Sequence, residues 1–426
     1  MLLLFGVFLF FGVDSTLSHS FVVDEVPKAN SSLDVSPSEA RVTFNSPIEK
    51  DLSTIVVINQ EEIKIPAESP LFNDELTEIF IPLPALEAGT YKVEYYVVSS
   101  NDGHPISGSY SFHVETSTAS SPDSEVNLPA PPQDGGSKEV ERNQNKTESI
   151  AKSPDEGYLS QLIIFALRIL YYTGLLLLIG WVFWWHRIRG NSGNIRKKFL
   201  FWGTILQMLH LVGLLSMIAM QLNIFTNNGL VINADFFVTS YFGIWWLVSL
   251  VLSILGFLLL FRYKWFDVLW LIGILISKSV NGHSIEIEPW ILFTASNGIH
   301  LLAASIWASG LLFILVYWSK NRLFVNTFLP QFSRYALASI LLLVITGIFS
   351  SGGFLYYSDF ALTTWSLFLW LKILLVILVA IIGYKIRIKL KKKDKNNIGL
   401  LLKVDFTIML TIIIVVSFLT YLNPQP

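Results

Sequence analysis

From Tyr158 to the end of its 426 residues the chain is a succession of long apolar segments, and these decide what it can fold into. A helix rises about 1.5 Å per residue, so roughly 20 apolar residues cross a bilayer. Eight segments approach or exceed that length, at about 158–186, 199–222, 239–261, 264–280, 290–318, 333–354, 363–387 and 404–422, the fourth being the shortest. In hydrocarbon every backbone N–H and C=O must find its partner within the protein, so such segments are helices. A polytopic α-helical membrane domain of about eight transmembrane helices is predicted. The composition agrees: 52% of residues are hydrophobic and 15% charged, where a soluble domain carries nearer a quarter charged.

The loops orient the bundle. The first, third, fifth and seventh carry Arg187, Arg189, Arg196, Lys197 and Lys198; Arg262 and Lys264; Lys320, Arg322 and Arg334; and the basic run from Lys385 to Lys403. The second, fourth and sixth carry neither Lys nor Arg, with Lys278 at the end of the fourth segment. By the positive-inside rule the odd loops face the cytoplasm, so a multi-pass protein of the cytoplasmic membrane is expected, with everything before Tyr158 and residues 423–426 outside. The net charge of −2 conceals a division: residues 19–157 hold 24 Asp+Glu against 9 Lys+Arg, and residues 158–426 hold 21 Lys+Arg against 7 Asp+Glu.

The amino-terminal region reads in three parts. Residues 2–13 form an apolar run of 12, too short to span a bilayer, followed by small polar Thr16 and Ser18. This is the pattern of a signal peptide over 1–18, and cleavage after Ser18 leaves His19 as the first residue. Residues 19–115 alternate with period 2, at Val42-Phe44, Ile55-Val57, Ile63-Ile65, Ile79-Ile81, Tyr91-Val93-Tyr95-Val97 and Tyr110-Phe112-Val114. Turn signals such as Asn101-Asp102-Gly103 separate the runs, which predicts an antiparallel all-β sandwich or barrel. Residues 116–157 are Ser, Pro, Gly and acidic residues with almost no large apolar side chain, the composition of a flexible linker.

The chain has no cysteine, so a metal can be held only by His, carboxylate, Met or a backbone amine. Seven histidines are present. A first-residue His19 offers both its α-amino nitrogen and its ring Nδ1, a chelate closed to any internal histidine. The turn Asp102-Gly-His104-Pro105 joins the two best strand candidates and presents Asp102 and His104 together. By itself such a turn is only a turn; with the chelate it completes three nitrogens and one oxygen, a tetragonal set that suits Cu(II).

These residues resemble a known family. Residues 19–115 are similar to the periplasmic copper-binding CopC domain, which begins with His after its signal peptide and ends in the strand D-G-H-P-x-x-G-x-x-x-F-x-V, here Asp102 to Val114. Residues 158–426 resemble its membrane partner CopD, and the fused order resembles the single-chain copper-uptake proteins of the YcnJ type. The resemblance implies a CopC-like Greek-key domain with His19, Asp102 and His104 as Cu(II) ligands. Some members add a Met-rich Cu(I) site, but no methionine lies between residues 19 and 157, so that site is not expected. His113 alternates with core positions and is expected to face solvent.

Within the helical half, His210 and His300 lie roughly 15 Å from the ends of their segments at 1.5 Å per residue, with Arg168 and Lys372 at similar depth. Ionisable groups in a bilayer are costly and face an interior or a pathway. Met217 follows His210 at i+7 and Met220 at i+3 beyond it, soft donors suited to Cu(I), or simply flexible packing. His283 stands in a loop beside Glu286 and Glu288, where an ion from outside could enter. His300 opens the run His300-x6-Trp307-x2-Gly310, which resembles CopD. A membrane copper path through His210, Met217, His283 and His300 competes with hydrogen-bonded core histidines, and His186 reads as an interfacial residue. Arg168 and Lys372 would repel a passing cation unless backbone carbonyls take them.

The expected function is copper acquisition: Cu(II) bound outside, then passed to the bundle across the bilayer, by a transporter and not an enzyme. No nucleotide-binding motif is present and nothing points to nucleic acid. A copper chaperone or reductase is a conceivable partner. Two alternatives stand beside it: a haem-b redox module with His210 and His300 as axial ligands, and a copper-dependent oxidative enzyme using the amino-terminal histidine.

Overall fold

The computed structural model describes residues 21–67, 69–100, 103, 105–115, 154–188, 193–227, 232–281, 289–318, 321–357, 363–394 and 396–422. His19, Asp102, His104 and His283, with residues 1–18 and most of the linker, lie outside the described residues.

Eight strands form two four-stranded sheets. They are β1 Val22–Val26, β2 Ser32–Leu33, β3 Glu39–Phe44, β4 Thr54–Ile58, β5 Leu71–Phe72, β6 Glu78–Pro82, β7 Gly89–Val98 and β8 Pro105–Val114. One sheet runs β1-β3-β6-β5 and the other β2-β8-β7-β4. All pairs are antiparallel except β2 with β8. Alternation does the folding: Val42 and Phe44, Ile55 and Val57, Ile79 and Ile81, and Tyr91, Val93, Tyr110, Phe112 and Val114 all point between the sheets into one core. Ile63-Ile65 forms no strand, only a bridge between Ile58 and Lys64. His113 is exposed, as expected, its Nδ1 3.1 Å from Thr90 Oγ1.

The eight apolar segments become eight long helices: α1 Pro154–Trp185, α2 Gly193–Asn227, α3 Tyr241–Leu259, α4 Lys264–Val280, α5 Trp290–Trp318, α6 Arg322–Tyr357, α7 Thr364–Lys391 and α8 Ile398–Leu419. Seven are long and apolar enough to cross a membrane; α4, with 17 residues, is not among them. It is fixed sideways to α3, where Trp270 Nε1–H donates to Leu252 O at 3.0 Å and Ser277 Oγ donates to Trp245 O at 3.1 Å.

Helix α1 is the axis of the bundle, between α2 and α5. Small residues set its approaches. A Cβ on Gly174 would stand 2.8 Å from the His210 backbone, and one on Gly180 would overlap Ser305 O and Ser309 Oγ. Trp181 and Trp184, both fully buried, donate their indole N–H to Phe199 O at 3.1 Å and Ile306 O at 3.0 Å. Three helices are thereby pinned without a charge.

The sandwich sits directly on the bundle. Leu52 and Val98 from the sandwich join Phe225 at the end of α2, Phe236 in the α2–α3 connection and Phe242 at the start of α3 in one buried cluster. Burying a large apolar side chain contributes roughly 1.5–3 kcal/mol each, so this joint is an apolar weld and not a loose tether.

Candidate metal centre

Gly103, the middle residue of the predicted ligand turn, lies in that joint. Strands β7 and β8 pair from Gly89 with Val114 to Val98 with Pro105. Gly103 occupies the left-handed region at φ 73°, where a side chain would be strained. Its N–H donates to Ser99 O at 2.9 Å, and its own carbonyl accepts from Gln221 Nε2 of α2 at 2.9 Å. A Cβ here would also press on the Phe242 ring at 3.3 Å. The residue between Asp102 and His104 is thus held against the mouth of the bundle, although the two ligand side chains themselves lie outside the described residues.

Glu49 clasps the same joint. Its Oε1 accepts from the Tyr241 N–H at the start of α3, at 3.1 Å, where a helix offers free donors to an anion. Burial is the main influence on this carboxyl and raises it from 4.5 to about 7, opposed by the Tyr241 N–H and reinforced by Asp51. The docked state therefore favours the protonated acid. Docking should be strongest below about pH 5, weaken as pH rises through 7, and change little above. Glu49→Gln should flatten this profile. Because the chain lacks cysteine, spin labels on Glu61→Cys and Thr226→Cys, both exposed positions, would read the separation across the joint against pH. A separation independent of pH in the Glu49 protein would refute the linkage.

The helical residues fall into separate groups. His210 is 1% exposed, stacks on Tyr171 with ring centroids 5.9 Å apart, and neither ring nitrogen has a hydrogen-bond partner among the described residues. Met217 is half-buried against the main core. His300 bonds through Nδ1 to Thr346 Oγ1 at 2.8 Å and stands within electrostatic reach of Lys372. The two histidines thus have different neighbours. Arg168 donates to Ser417 O at 3.3 Å and Thr420 O at 2.6 Å, with the Tyr421 ring 5.3 Å away. It caps the carbonyl end of α8, where a cation is favoured.

The comparisons with known proteins bear on these residues. The family model for the CopC domain matches residues 22–115, and that for copper resistance protein D matches 326–419. The copper transport protein CutJ of Bacillus subtilis (strain 168) is 24% identical over an alignment spanning 100% of this chain and 77% of its own. The chain joins a CopC domain to a CopD domain. Among solved structures, CopC from Methylosinus trichosporium OB3b is 30% identical, covering 23% of this chain and 95% of its own with a TM-score of 0.22. PcoC from Escherichia coli, described as methionine-rich, is 27% identical over 23% of this chain and 100% of its own, TM-score 0.21.

At the opposite end of the bundle a cleft of about 770 Å³ is lined by His186, Arg187, Lys264 and Tyr335. His186 is more than interfacial: its Nε2 lies 2.7 Å from Asp267 Oδ2, while Asp267 Oδ1 accepts from the Phe261 N–H at 2.9 Å. Sequence reasoning missed this pair because its members are 81 residues apart. It missed Glu49, Gln221 and Phe242 for the same reason, since nothing local marks a residue that meets another domain.

Proposed function

We propose that the CopC domain takes up Cu(II) with His19, Asp102 and His104 and passes copper straight into the CopD bundle for transport across the cytoplasmic membrane, the sandwich lying outside. The position of Gly103 carries this reading: the residue between two of the ligands is bonded to Gln221 and packed on Phe242. An ion leaving that turn is already at the bundle's mouth. The linker then serves to keep a released sandwich near its acceptor at high effective concentration, and the acidic surplus of residues 19–157 draws cations towards it. His210, Met217, His283 and His300 remain candidate stations within the bundle. Arg168 raises no barrier, being spent on α8 carbonyls.

The test is copper accumulation during copper-limited growth. Cells carrying His104→Ala in the full chain should accumulate copper no better than cells without the protein, whereas Gln221→Ala should slow uptake and leave Cu(II) affinity unchanged. Normal accumulation in the absence of the protein would overturn the reading.

A further inference from the structure

On α8, Asp405 and Met409 stand one helical turn apart, and both are turned into the bundle: Asp405 is 3% exposed and Met409 fully buried. Trp307 of α5 is the side chain that acts on the Asp405 carboxyl. Its Oδ1 is buried with no hydrogen-bond partner among the described residues. Burying such a group without a partner is costly. The contrast is Asp267, equally buried, whose two oxygens are taken by the Phe261 N–H and His186. Asp267 is a satisfied structural acid; Asp405 has an acceptor to spare, one turn from a thioether.

Each feature alone has a plain explanation, since buried methionines fill cores and a neighbouring tryptophan partly settles a carboxyl. Together they form a donor pair of specific chemistry. A hard divalent ion wants six or more oxygens, which this apolar seam does not provide. A soft monovalent ion is satisfied by few donors, one of them sulfur, and a single carboxylate balances its single charge.

We propose that Asp405 Oδ1 and Met409 Sδ form a binding site for copper supplied as Cu(I), with Trp307 as the positioning residue that aims the carboxylate. The inference rests on the copper-transport reading and gives the bundle a station that neither histidine provides. Asp405 is seven residues into α8, roughly 10 Å from the end of the bundle away from the sandwich at 1.5 Å per residue, so it lies beyond His300 for an ion entering at Gly103. Binding itself changes no oxidation state; copper captured outside as Cu(II) reaches this site only after taking one electron from an external one-electron reductant, such as a membrane reductase. It also assigns a role to Trp307 in the His300-x6-Trp307 run.

The experiment is a titration of purified full-length protein in detergent with Ag(I), which shares the charge and donor preference of Cu(I) and is not oxidised in air. Wild type should bind one more ion than Asp405→Asn, one more than Met409→Leu, and the double variant should lose no more than either single one. Both substitutions nearly conserve volume. Unchanged stoichiometry in both variants overturns the site, and loss confined to Asp405→Asn removes Met409 as a donor and overturns the carboxylate–thioether pair. A measurement on wild type needs no variant to fold: modification of Asp405 by a hydrophobic carbodiimide, read by mass spectrometry, should be blocked by Ag(I). Undiminished labelling refutes the proposal. His19→Ala is carried alongside; it should lose copper uptake and keep the Ag(I) ion at Asp405, so normal uptake in this variant counts against the transport reading alone.

Discussion

A single alanine inserted before His19 in the mature full-length protein is expected to weaken Cu(II) binding roughly 100-fold or more, equivalent to about 2.7 kcal/mol. The insertion alters no side chain. It converts the α-amino nitrogen of the first histidine into a peptide nitrogen and so opens the chelate ring, leaving His19, Asp102 and His104 as separate donors. Blocking cleavage after Ser18 should do the same. Nitrogen hyperfine lines in the Cu(II) electron paramagnetic resonance spectrum should fall from three donors towards two. The intact site should also weaken on acidification, because copper must displace protons from an amine of reference pKa about 7.7–8.0 and imidazoles near 6.5. The extended protein should lose the upper part of that pH dependence. Equal affinity in the two proteins would remove the chelate.

What the chain shows of itself in advance is whatever recurs locally. Period 2 placed β3, β4, β6, β7 and β8, and the apolar runs placed all eight helices. The two-residue strands β2 and β5 are too short to show a period, and β1 pairs with a register shift after Val22. The Asp102-Gly-His104 turn reads as a candidate ligand turn because its donors adjoin in sequence. Its docking was not legible, because the partners Gln221 and Phe242 are ordinary residues of apolar helices and their meaning comes from another domain. Arg168 shows the same limit from the other side: as a lone cation in an apolar run it suggested an obstacle, and the carbonyls that take it lie at the far end of the chain, at Ser417 and Thr420. Asp405 escaped notice likewise, since its unpaired oxygen is a property of the fold around it.

Gly180→Ala should be the most damaging methyl group that can be added to the bundle. A Cβ there meets Ser305 O and Ser309 Oγ, and Ser305 O is a backbone atom that no side-chain rotation removes. The Ser309 hydroxyl is itself engaged, donating to Ser305 O at 2.6 Å. Helices α1 and α5 must therefore separate, which breaks the Trp184 bond to Ile306 O and loosens the seam that carries Trp307. Overpacking of a tight core costs about 1–3 kcal/mol and occasionally more, and the backbone contact puts this site at or above 3. The control is Gly193→Ala, where a Cβ meets nothing within 4 Å at the start of α2; removing a glycine from a helix is neutral or stabilises by up to ~1 kcal/mol. Thermal unfolding of the two proteins in detergent should show a large fall in midpoint for the first and none for the second. If Asp405 depends on the α5 seam for the placement of Trp307, Gly180→Ala protein that still folds at low temperature should lose affinity for Ag(I), while Gly193→Ala keeps it. Equal melting of both variants would mean that α1 and α5 do not meet at Gly180.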